Sequence, residues 1–139
     1  EIGAGLGIVG LAAAAAGGAS AVVLTDQEEM QALLQHNISL NSLGASCQAQ
    51  ALMWGSEPPP AWGHFDVILA ADVVYPTKDI ATLFSLRATL LAACADEQTR
   101  VILAYHPRAQ EDQEFLAKEL LPSLTVIKTE ELSQTTSDS

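Results

Sequence analysis

The spacing of apolar residues changes period along the chain. From Leu6 to about Gly17 nearly every position is Ala, Val, Leu, Ile or Gly, which predicts a helix apolar almost all round and buried against a sheet. Ala21-Val22-Val23-Leu24-Thr25 is a continuous apolar run rich in β-branched residues, as expected of a strand covered on both faces of a parallel sheet. Asp26 is placed to cap the next helix, with Glu29 three positions on as in a capping box. Met30, Leu33, Leu34 and Ile38 then fall on one helical face. A short strand is expected around Ala49 to Met53, and Pro58-Pro59-Pro60 makes a loop of Gly55 to Gly63.

The second half continues the alternation. Phe65 to Ala71 predicts another buried strand, ending in Asp72. Thr77 suits the cap of a helix whose stripe is Ile80, Leu83, Phe84, Leu90 and Leu91. Arg100 to Tyr105 predicts a strand, Asp112 to Leu121 a helix stopped by Pro122, and Leu124 to Lys128 a last strand. From Ser133 onward the serines and threonines predict a frayed or truncated end. There is no repeat and no linker, so residues 1–139 are expected to form one domain. Strands alternating with helices imply an α/β fold, a Rossmann-like doubly wound and mainly parallel sheet with helices on both faces. Ligands of such sheets sit at the C-terminal ends of strands, near the point where strand order reverses. Four segments qualify: Glu1 to Gly7, Asp26, Met53 to Gly55, and Ala71 to Tyr75.

Composition narrows the classes. A hydrophobic content of 49% argues against disorder, and a net charge of −11 argues against a nucleic-acid partner, whose phosphates need a basic footprint. An acidic surface suits a basic partner such as a lysine-bearing protein segment, or merely keeps the domain soluble. Ile2 to Thr25 carries no charge and is long enough to span a bilayer. It is mostly Ala and Gly, lacks flanking Lys or Arg, and breaks at Gly17-Gly18, so neither a membrane span nor a signal peptide is expected. Cys47 and Cys94 have no metal-ligand neighbours and are expected as buried free thiols in a reducing compartment, with no metal site.

The glycine loop is the first chemical signal. Gly3-Ala4-Gly5-Leu6-Gly7 opens directly into a helix, so a ligand can approach the backbone without meeting side chains. Gly5 to Gly10 also satisfies the dinucleotide pattern G-x-G-x-x-G. Asp26 follows Gly5 by 21 residues, at a strand end where an acid grips ribose hydroxyls. NAD and S-adenosylmethionine (AdoMet) both carry an adenosine ribose, so Asp26 alone does not discriminate between them.

Four segments in order do discriminate. Glu1-Ile2-Gly3-Ala4-Gly5-Leu6-Gly7-Ile8-Val9-Gly10 resembles the E-L-G-x-G-x-G-[IL]-V-G motif of seven-strand AdoMet-dependent methyltransferases. In particular it is similar to family 16 of the methyltransferase-like proteins, which includes many non-histone protein lysine methyltransferases. Leu24-Thr25-Asp26 matches that family's acidic strand end, Leu52-Met53-Trp54-Gly55 its L-x-W-G element, and Leu69 to Tyr75 its G-A-D-[IV]-[IV]-Y signature. The resemblance runs to about Leu121, with Ala70 in place of the usual Gly. Against the family pattern the chain begins at the last residue of the first strand, and its C-terminal hairpin is missing or incomplete. A fragment with an exposed sheet edge beside the cofactor is therefore expected.

The resemblance implies roles. Gly3, Ala4 and Gly5 would contact the amino-acid portion of AdoMet, with Glu1 helping to orient it. Asp26 would accept from both ribose hydroxyls, Trp54 would pack on adenine, and Ala71 would touch the cofactor through its backbone. The lesser alternative for Trp54 is a core residue under the proline-rich loop. Asp72 and Tyr75 form the family's D-x-x-Y element, in which an acid orients the lysine amine and a tyrosine walls its channel. The alternative for Asp72 is a helix cap, for which Thr77 is better placed.

The reading is thus an AdoMet-dependent protein lysine methyltransferase, expected to be monomeric and, by default, cytoplasmic. The alternatives are a methyltransferase of the same fold acting on a small molecule or another side chain, and an NAD-linked oxidoreductase. No Tyr-x-x-x-Lys pair supports the last of these. His36, His64 and His106 receive no chemistry, although His106 lies near the substrate side. Glu28, Glu29, Glu111, Asp112 and Glu114 are expected on solvated helix faces.

Overall fold

Ile2 sits between two strands and joins two halves of a sheet. In the computed structural model, which describes residues 1–75, 79–94 and 96–131, four strands form two parallel pairs. Strand β1 (Val22–Asp26) pairs with β2 (Cys47–Ala51), and β3 (Val67–Ala71) pairs with β4 (Arg100–Ala104). Ile2 bridges Thr25 of β1 in parallel, and its N–H donates to Leu69 O of β3 at 2.9 Å. Thr25 N–H donates to Glu1 O (2.9 Å) and Ala4 N–H to Thr25 O (2.9 Å), so residues 1–4 follow β1 before the glycine loop turns away. The spatial order is β2, β1, the Ile2 segment, β3, β4.

Helices α1 (Ile8–Ala15), α2 (Gln31–Leu40), α3 (Ala81–Ala93) and α4 (Gln110–Phe115) intervene. Two apolar clusters result. Leu11 and Ala14 of α1 and Leu34 and Ile38 of α2 pack with Val22, Leu24 and Cys47. Leu83, Leu86, Leu90 and Ala93 of α3 pack with Ile2, Ile68, Ala70, Phe115 and Leu120. Val22 to Thr25 are buried at four consecutive positions, as their β-branched run requires between two neighbours. This is a mixed α/β chain with parallel strands, and no helix among its described residues is long and apolar enough to cross a membrane.

Several expectations are corrected. Helix α1 is not apolar-buried all round: Gly10, Leu11 and Ala14 face the core, while Ile8 is 68% exposed. Asp26 and Glu29 form no capping box. The Asp26 side chain points elsewhere, and the helix starts instead through a 3₁₀ turn at Glu28–Met30. Strand β2 ends at Ala51, two residues before Met53. In α3 the buried stripe includes Leu86 and Thr89, while Ile80 and Phe84 are exposed. Helix α4 passes into a π-turn (Leu116–Leu120), and Leu124 to Lys128 pair with no strand. Leu124 still packs against the α3 cluster, but without a partner ladder Val126 and Ile127 stay in water, Ile127 85% exposed. Cys47 is a buried free thiol as expected. Cys94 is only half-buried, enough for burial to push its thiol pKa up. The expected Thr77 cap and the Ser133 tail lie outside the described residues.

Candidate active site

The glycine loop is built from three left-handed glycines. Gly3, Gly5 and Gly7 have φ of 64°, 56° and 80°, a region that other residues enter at a cost. A Cβ on Gly3 would come 2.8 Å from Val73 Cγ1 and 3.3 Å from Trp54 Cζ2, so glycine lets the loop close on both. At Gly5 a Cβ would meet nothing within 4 Å, which leaves this stretch of backbone open to a ligand. Ala4 is buried, and its carbonyl accepts from Gly7 N–H at 2.7 Å, so it shapes the turn.

Two carboxylates hold the loop. Asp26 Oδ2 accepts from Gly5 N–H (2.7 Å), and Oδ1 accepts from Gln27 N–H (2.8 Å). Each oxygen keeps a lone pair, and the residue is half-buried, so two further hydroxyl donors can be accepted. Glu1 Oε2 accepts from Gly10 N–H in the first turn of α1 at 2.8 Å. Burial pushes the Glu1 carboxyl pKa up, and the Gly10 N–H opposes it.

Trp54 lies beyond β2, beside Gly3, with its ring centroid 6.1 Å from that of Tyr75 and the planes tilted by 47°. It is half-buried. The turn that carries it is fastened to α3, where Gly55 N–H donates to Thr89 Oγ1 (2.8 Å) and Thr89 Oγ1 donates to Ser56 O (2.9 Å). The Thr89 side chain is fully buried. Leu52 N–H donates to Asp26 O (2.9 Å), tying the start of this segment to the end of β1.

Asp72 follows β3, whose last residue Ala71 is in register with Ala104. Its φ is 58°, a left-handed conformation in which Asp is among the better tolerated residues. Its N–H donates to Ala104 O at 2.9 Å, and its carboxylate meets Arg108 Nη2 at 2.5 Å. Asp72 is exposed, and Val73 and Val74 behind it are fully buried.

The structure therefore joins Gly3, Trp54 and Tyr75 in one cluster, links Asp26 to Gly5, and sets Asp72 on the end of β4. A ribose-bearing ligand fits the open backbone at Gly5, the lone pairs of Asp26 and the half-buried face of Trp54. An apolar cleft between β1 and β3 is lined by Val23, Leu52, Phe65, Val67 and Ile68, and among the candidate site residues only Glu1 borders it.

Three residues escaped the sequence reading. Arg108 reaches Asp72 from the loop after β4, itself a strand end, which is the signal that could have found it. Thr89 is a lone polar residue within an apolar helical stripe. Asp112, expected on a solvated face, is wholly buried. It accepts from Ala109 N–H (3.0 Å) and Arg108 N–H (3.3 Å) at the start of α4, half of a capping box in which Ala109 has no oxygen to reciprocate.

Residues 1–120 match the model of a family described as lysine methyltransferase. The chain belongs to this family. Mouse EEF1A lysine methyltransferase 3 is 36% identical over 125 residues, covering 88% of the chain and 50% of that protein. The protein-lysine N-methyltransferase EFM2 of Saccharomyces cerevisiae is 33% identical over 131 residues, covering 86% and 31%. Mouse protein N-lysine methyltransferase METTL21A is 33% identical over 120 residues, covering 84% and 52%. The chain thus spans about half or less of the length of these curated relatives.

Proposed function

We propose that the protein transfers a methyl group from AdoMet to a lysine side chain of a non-histone protein, and that these residues are the core of its seven-strand, Rossmann-like domain. The observation that carries this reading is the placing of Asp72 and Tyr75 at the end of β3, with Tyr75 packed on the Trp54 that touches the glycine loop. The strand order supports it. Strand order reverses at the Ile2 segment, with β1 and β2 on one side and β3 and β4 on the other, and the gap between that segment and β3 is where a doubly wound sheet has its switch point.

When bound, AdoMet supplies an electrophilic methyl on a sulfonium centre. Asp26 accepts from the ribose hydroxyls, Trp54 offers a flat apolar surface to adenine, and the Gly3–Gly5 backbone passes the amino-acid portion. Glu1 holds the loop to α1 through Gly10, and Ala71 leaves room for the cofactor at the strand end. Methyl transfer would require the lysine amine to be held in alignment with its lone pair free. Asp72 accepts a hydrogen bond from the amine N–H and so turns the lone pair towards the methyl, while Tyr75 walls the approach. The amine arrives already deprotonated, so Asp72 positions it rather than removing its proton. A net charge of −11 favours a cationic lysine-bearing segment.

The test is transfer of labelled methyl from AdoMet into a cell lysate by the protein at its full natural length, beside Asp72→Ala. Label on lysine of a discrete protein, reduced at least about 100-fold in the variant, is expected for a residue that aligns the nucleophile. Label confined to small molecules, or unchanged in Asp72→Ala, contradicts the proposal.

A further inference from the structure

We propose that Arg108 is a positioning residue for Asp72, aimed by a buried carboxylate that fixes its loop. The inference rests on the reading of Asp72 given above. Three contacts make the chain. Asp112, fully buried, takes the N–H groups of both Arg108 and Ala109 and so fixes the turn between β4 and α4. From that turn the Arg108 guanidinium reaches Asp72 through Nη2 to Oδ2. Asp72 itself is tied to the end of β4 through its N–H to Ala104 O.

The chemistry gives the pair a use. Asp72 follows a strand on an exposed, left-handed residue, where a carboxylate has little packing to fix its rotamer. One oxygen engaged by a guanidinium leaves the other to accept from an amine. Surface ion pairs contribute little to stability, so a role in folding is a poor account of the contact. The pair spans 36 residues and two strand ends, which makes it a clamp across the substrate side.

The test compares Arg108→Ala and Arg108→Lys at full natural length. Arg108→Ala is expected to lower kcat/KM for the protein substrate about tenfold, less than the loss from misplacing a reacting group outright. Its Kd for AdoMet stays within about twofold, since Asp26 and the glycine loop are untouched. Arg108→Lys recovers most of the loss, because a single nitrogen-to-oxygen contact can be made by an ammonium. In an Asp72→Asn background, Arg108→Ala has no further effect beyond about twofold, whereas a merely structural role would cost the same in both.

Unchanged kcat/KM in Arg108→Ala overturns the assignment. An increase also overturns it, because the guanidinium would then be competing with the substrate amine. If Asp72→Ala is as active as the parent, the underlying function fails first. If Asp72→Ala is inactive and Arg108→Ala is normal, only this inference fails.

Discussion

Asp112 is a small group on which several neighbours depend. Burial alone would push its carboxyl pKa up, but the N–H groups of Ala109, Arg108 and Gln113 and the nearby Tyr105 hydroxyl outweigh it and hold it below the usual carboxylate range. Tyr105 is affected in return: burial and the Asp112 charge push its hydroxyl pKa up, and that hydroxyl completes no well-formed hydrogen bond of its own. A carboxyl lowered in the folded state stabilises the fold above its unfolded pKa, and that contribution is lost as pH falls through its folded one. Asp112→Ala should therefore destabilise the protein at pH 7 by about 1–2 kcal/mol, the worth of a helix cap. The difference in thermal midpoint between parent and variant should shrink as pH falls below about 4. A difference independent of pH would show that packing, not the carboxylate, is what was removed.

At the scale of elements, the contact between α1 and β1 is set by a glycine. A Cβ on Gly10 would come 2.3 Å from Leu24 Cδ2 and 2.8 Å from Glu1 Oε2, and Leu24 is fully buried with nowhere to retreat. Alanine is the better helix former by about 1 kcal/mol, so propensity alone predicts that Gly10→Ala stabilises. Overpacking outweighs it at about 1–3 kcal/mol, and the variant should melt lower by circular dichroism. Gly44→Ala, with open space around its Cβ, is the control and should be neutral or stabilising. A higher midpoint for Gly10→Ala would refute the close-packing account.

The same elements show what the sequence made legible. β1, β3, α2 and α3 could be read because β-branched runs and helical spacing act locally, and Asp26 and Gly3–Gly7 stood out as strand-end chemistry. The one-sided burial of α1 was hidden, since an Ala-rich helix has no polar face to mark its exposed side. The missing pairing of Leu124 to Lys128 was hidden too, because a strand needs a neighbour that no local pattern supplies. Arg108 and Asp112 could not be placed at the site because their partners lie on other elements or on the helix's own start, where an acid reads as solvated.

Across the whole molecule, two apolar clusters meet at a sheet joined by residues 1–4, and the candidate site lies on that seam. In the proposed function its cofactor side is Gly3, Gly5, Asp26 and Trp54, and its substrate side is Asp72, Tyr75 and Arg108. Every step proposed for the substrate side presumes that the cofactor side takes AdoMet. Calorimetric titration of the full-length protein with AdoMet, and separately with NAD, measures this directly. The account predicts one AdoMet bound per chain, no binding of NAD, and Asp26→Ala weaker by about 10- to 100-fold, the worth of a charge-assisted hydrogen bond at about 1.5–3 kcal/mol. NAD binding in place of AdoMet, or AdoMet binding indifferent to Asp26→Ala, would contradict it.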